Sequence, residues 1–69
     1  MNQDVRKILA NNIEKLRKKH GVTRENLAIA LEFDNSYISK LEKEKVNITL
    51  ERLIKIANFF NVKVCDLLK

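Results

Sequence analysis

TRENLAIALEFDNSYISKLE, residues 23–42, is the stretch whose reading decides the fold. Thr23 can accept a backbone hydrogen bond as an N-cap, Glu25 suits the first turn, and Leu27, Ala28 and Leu31 share one face of a short helix. Asp34 is the next residue suited to a cap. It opens a second helix in which Ile38 and Leu41 point inward and Asn35, Ser36, Ser39 and Lys40 point outward. Only about three residues separate the two, and so short a connection makes the helices cross steeply instead of running antiparallel.

Upstream, Val5, Ile8, Leu9, Ile13 and Leu16 recur at spacings of three and four, which predicts a helix over residues 5–20. Asn2 or Asp4 can cap its start. Lys18, Lys19 and His20 suit the negative end of its dipole, and Gly21 supplies a left-handed stop. Downstream of the polar loop 43–48, Thr49 caps a helix with Leu50, Leu53, Ile56, Ala57 and Phe60 on its apolar side. Asn61 can adopt the left-handed ending, and residues 64–68 can form a short fifth helix. The expected fold class is therefore all-α, with five helices.

Composition agrees with this reading. With no proline and one glycine among 69 residues, little in the chain interrupts helices or makes tight hairpins. A hydrophobic content of 45% is enough for a core, and 33% charged residues solvate the surface, so disorder is not expected. One cysteine, Cys65, and one histidine, His20, give neither a disulfide nor a metal site, and a reducing cytoplasm fits. No apolar run is long enough to cross a bilayer, and the polar start, residues 1–4, lacks a signal-peptide core.

The net charge of +5 favours an anionic partner, and its distribution is uneven. Residues 1–21 carry +4 (six basic against two acidic), residues 22–42 carry −2 (two against four), and residues 43–69 carry +3 (six against three). If the partner is DNA, the flanks supply phosphate attraction and the acidic centre reads bases or shape.

The same residues resemble the helix-turn-helix of the phage repressor and Cro family. The likeness runs from about residue 9 to residue 68 and includes the entry LRKKHGVTRENLA (16–28), the helix SYISKLE (36–42) and the ending TLERLIKIANFFNVKVCDLL (49–68). It implies a compact five-helix repressor-like domain spanning residues 1–69, binding double-stranded DNA through a helix-turn-helix at residues 23–42. Asn35, Ser36 and Lys40 would then face base edges, with Ser39 a further candidate. Asparagine pairs bidentately with adenine, lysine donates to guanine, and serine serves either base. Thr23 and Arg24 stand where the family meets the DNA backbone, with Arg24 in place of a common glutamine. Tyr37 either packs its ring on the helix-two side or sends its hydroxyl to a phosphate. Lys43, Lys45 and Asn47 follow in the loop that lies along the sugar-phosphate chain. A solvated charged face competes with that reading for the two lysines. Arg17 and Glu42 match a pair that joins the first helix to the end of the third and fixes the angle of the recognition helix.

Two departures from the family pattern stand out. Glu32 replaces a turn glycine, at a strain of roughly 1 to 2 kcal/mol if left-handed, and Lys63 replaces the usual cap of helix five, so that helix is expected to start loosely.

The resemblance also implies a homodimer on a palindromic operator, because one recognition helix touches few base pairs. Phe59, Val64, Leu67 and Leu68 are the candidate interface residues, with Phe59 alternatively covering helix five inside one subunit. No cofactor, metal or small-molecule effector is expected. Catalysis is not expected either, since the isolated His20 and Cys65 have no partners and no phosphate loop is present; His20 reads as a helix-end residue and Cys65 as a small apolar filler. The competing class is a protein-interaction module, such as an antitoxin or co-regulator using the same fold. RNA binding is weaker, because 6% aromatic content offers no stacking platform.

Overall fold

Four left-handed residues partition the chain: Gly21 (φ 67°), Glu32 (φ 61°), Glu44 (φ 61°) and Asn61 (φ 57°). Each ends a helix in the same way. The amide of the left-handed residue bonds the carbonyl three positions back, and the next amide reaches five positions back. The latter bonds are Val22 to Arg17, Phe33 to Ala28, Lys45 to Lys40 and Val62 to Ala57, at 2.8–2.9 Å. This is the Schellman arrangement, which satisfies carbonyls that a helix end leaves without partners. The structure, a computed structural model, describes residues 3–69, with side chains from Val5 onward.

The resulting helices are α1 (Gln3–Lys19), α2 (Arg24–Ala30), α3 (Tyr37–Glu42), α4 (Leu50–Phe59) and α5 (Val64–Leu67). Thr23 Oγ1 accepts the Asn26 amide and Thr49 Oγ1 accepts the Arg52 amide, so both threonines act as N-caps. Asn2 lies outside the described residues, and Asp4 falls inside α1 instead of capping it.

The expected start of α3 is corrected. Asp34 is not its cap: residues 31–36 all lie between α2 and α3, and Ser36 is the N-cap residue, without a side-chain bond. The cause is local. Left-handed Glu32 ends α2, and the Asp34 carbonyl then accepts the Tyr37 amide at 2.9 Å, closing a turn before the helix begins. Asn35 and Ser36 therefore project from this turn and not from the helix proper.

Leu9, Ile13, Leu27, Ala28, Ile38, Leu41, Leu53, Ile56, Ala57, Phe60 and Leu67 form the core, with Tyr37 at its edge. Helix α3 packs chiefly against α1 and α2, and α5 against α1 and α4. Burial corrects the sequence expectations for Leu50, Leu67 and Cys65. Leu50 sits at the first position of α4, rotated off the core face, and is 68% exposed. Leu67 is fully enclosed, so it belongs to the core and cannot form a dimer surface. Val64 is half-buried against the same cluster. Cys65, on the outer side of α5, is exposed and fills no interior space.

The fifth helix is anchored by means other than a cap at Lys63. The Asp66 carboxylate accepts the Lys63 amide at 3.2 Å, and the Asn12 side-chain amide donates to the carbonyls of Leu67 (2.8 Å) and Lys69 (3.1 Å). The chain's end is thereby fastened to α1. Among the described residues no helix is long and apolar enough to cross a membrane.

Candidate nucleic-acid interface

The outer edge of the α2–α3 unit is polar along the turn and α3, while α2 also exposes the apolar Ile29. Ile38 and Leu41 are buried, which turns Lys40 outward and leaves Asn35 and Ser36 exposed at the turn; Ser39 is half-buried. Lys43, Lys45 and Asn47 are exposed in the segment after α3. Lys40 also lies in the last turn of α3, where a cation suits the helix dipole.

One carboxylate shared by two arginines holds this edge in place. Glu42 Oε2 accepts from Arg17 Nε at 2.9 Å, and Glu42 Oε1 accepts from Arg24 Nε at 2.9 Å and from Arg17 Nη2 at 3.4 Å. Arg17 Nη1 also donates to the Val22 carbonyl at 3.1 Å. The Arg17 and Glu42 side chains are 10% and 5% exposed, and Arg24 is 44% exposed. A single acid therefore ties α1, α2 and the end of α3 together, in a setting where an unpaired charge would be costly.

Arg24 is thus partly committed inside the protein. Its guanidinium also approaches Glu14 at 3.8 Å. The hydrogen bond that Arg24 donates to Glu42, with that carboxylate's charge, raises the Arg24 pKa above its ordinary value. A cation held that way contributes its stability fully below the ordinary arginine value and loses it only at more alkaline pH, so Arg24 stays charged at neutrality.

The placement of Tyr37 corrects one phosphate-binding expectation. The residue is 8% exposed, and its hydroxyl is enclosed with no hydrogen-bond partner. Its ring meets Phe33 edge-on at 5.1 Å and lies beneath the Arg52 guanidinium at 4.6 Å. Tyr37, the first residue of α3, therefore packs with the core and not toward solvent. Tyr37→Phe is expected to leave DNA affinity unchanged and to stabilise the fold by about 1 kcal/mol, since an enclosed unpaired hydroxyl costs about that much. On thermal melting this is a rise of roughly 4 to 8 °C. A tenfold loss of affinity would instead show that the hydroxyl reaches DNA.

The sequence reading missed Arg52, whose guanidinium also lies 5.0 Å from the Phe33 ring centre. No periodic signal distinguishes a stacked arginine from a solvated one. Thr23 is exposed at the start of α2, its hydroxyl already occupied as a cap.

The sequence pattern of the helix-turn-helix family matches residues 13–67, covering α2, α3 and most of the core. The chain belongs to that family, in its phage repressor and Cro branch. This helix-turn-helix chain is 34% identical over 65 residues to the control protein C.SmaI of Serratia marcescens, covering 94% of its own length and 77% of the relative's. It is 35% identical over 66 residues to a hypothetical transcription factor of Neisseria meningitidis, covering 96% of itself and 62% of that protein. Among solved structures, the hypothetical transcription factor NHTF from Neisseria superposes with a TM-score of 0.91 at 34% identity, over 97% of this chain and 77% of that one. The clp gene regulator ClgR from Corynebacterium glutamicum gives 0.84 at 28% identity, over 93% and 68%. The protein is accordingly a DNA-binding regulator of the helix-turn-helix type, with a fold that its structural neighbours share.

Proposed function

We propose that the chain represses transcription as a homodimer, each copy placing the turn before α3 and the outer face of α3 in the major groove of one half of a palindromic operator. Asn35, Ser36 and Lys40 read base edges, and Ser39 lines the same face. Thr23, Arg24, Lys43, Lys45 and Asn47 meet the backbone on either side and set the register. The observation that carries this reading is the exposed polar edge backed by the shared Glu42 carboxylate: exposed polar side chains stand on a helix whose end is tied to α1 and α2. The whole of residues 1–69 acts as one binding domain, and its two copies space their recognition helices roughly 34 to 36 Å apart.

Of the dimer candidates read from the sequence, Phe59 and Leu68 remain at the surface, 40% and 37% exposed. Leu50 and Ile54 join them as exposed apolar side chains, one turn apart on α4. Leu50 and Leu68 flank a mostly apolar groove of about 440 Å³, floored by Leu9, Leu41 and Leu53. Helical geometry puts Phe59 on the opposite flank of α4 from Leu50 and Ile54. The Leu50, Ile54 and Leu68 side is the better surface for a second copy, because it offers three exposed large apolar side chains against Phe59 on the other flank.

Selection from a random DNA pool, followed by binding at rising salt, tests the proposal. The expected outcome is a two-fold symmetric site whose affinity falls steeply with salt as lysines and arginines release counterions. Binding to another protein that survives high salt, with no sequence recovered from the pool, would favour the protein-interaction reading instead.

A further inference from the structure

We infer that Arg52, in the first turn of α4, is a positioning residue for base recognition: stacked on Phe33 and Tyr37, it clamps the turn that carries Asn35 and Ser36. The inference rests on the base-reading role proposed above for those two residues.

The two rings bracket the turn. Phe33 precedes Asp34, Asn35 and Ser36, and Tyr37 follows them; the rings meet edge-on at 5.1 Å, closing the ends of the turn on each other. The Arg52 guanidinium lies 4.6 Å from one ring centre and 5.0 Å from the other, so a single planar cation covers both. Arg52 is itself well placed to hold them, because its backbone amide is bonded by Thr49 Oγ1 and the first turn of α4 is thereby pinned. Inside the bracket the backbone bonds are the Tyr37 amide to the Asp34 carbonyl at 2.9 Å and the Lys40 amide to the Ser36 carbonyl at 3.0 Å, and the Asn35 and Ser36 side chains are exposed, with Ser36 making no side-chain cap. The Glu42 network fixes the far end of α3, whereas Arg52 fixes its near end, where Asn35 and Ser36 stand. Lysine does not replace it fully, since a compact ammonium lacks the broad, delocalised guanidinium that here lies within 5.0 Å of both ring centres.

The test compares wild type, Arg52→Ala, Arg52→Lys and Phe33→Leu on the pool-selected site. The same proteins are then measured on sites altered at the base pair lost with Asn35→Ala, over a series of salt concentrations, with circular dichroism establishing that each is folded. Arg52→Ala is expected to lose about fivefold in discrimination, the size of an exposed cation–π contact, with the salt slope unchanged. Arg52→Lys should recover part of that loss, and Phe33→Leu, which removes one ring while keeping an apolar side chain, should reproduce it. Full discrimination in folded Arg52→Ala overturns the inference. So does a uniform loss of affinity with the salt slope reduced by about one, the mark of a phosphate contact. A wild-type chain that selects no sequence overturns the base-reading assignment first, and this inference with it.

Discussion

Glu42→Ala is expected to destabilise the protein by about 3 to 5 kcal/mol, the cost of stripping a buried ion pair of one partner. A chain of this size has roughly 3 to 10 kcal/mol in total, so the variant sits at the edge of unfolding. The asymmetry of the network sharpens the test. Removing Glu42 leaves Arg17 buried with only the Val22 carbonyl for company, whereas Arg24→Ala leaves the Arg17–Glu42 bonds in place and removes a half-exposed partner. That second change should cost about 1 kcal/mol or less. Urea unfolding followed by circular dichroism separates the two, and equal midpoints for Glu42→Ala and wild type would show that the carboxylate is dispensable.

The second large effect concerns recognition and leaves stability alone. Asn35→Ala and Lys40→Ala should each lower discrimination between the preferred operator and its single-base variants by about 1 to 3 kcal/mol, which is five- to 150-fold. Both side chains are exposed and outside the core, so unfolding midpoints should move by about 0.5 kcal/mol or less. Removing Lys43 and Lys45 together should act differently, weakening binding to every sequence alike and lowering the salt slope by about two. Competition binding with labelled operator distinguishes these patterns. Unchanged base preferences in both single variants would remove Asn35 and Lys40 from the reading surface.

What the sequence made legible follows from how local each signal is. Thr23, Thr49, Gly21 and Asn61 act within one turn of their own position, and caps and stops of that kind are visible in a bare string of residues. The Arg17–Glu42 pair is separated by 25 positions and was legible only through family resemblance. Glu44 was not legible as a stop at all, because glutamate has no preference for the left-handed backbone it adopts here. The burial of Tyr37 and its contact with Arg52 join residues 15 positions apart across the fold, and no local signal in the sequence marks such a pairing. The misplacement of Leu67 had the same origin: on a four-residue helix, periodicity cannot say which of two adjacent leucines faces in.

The four matching Schellman stops bear on how such a protein can diversify. Because α1 to α4 are each ended by bonds among backbone groups, the exposed side chains of Asn35 and Ser36 take no part in ending a helix. With the base-reading role proposed for them, Asn35, Ser36 and Lys40 would be exchangeable like letters in a fixed frame, and a descendant could acquire a new target site while inheriting its scaffold intact.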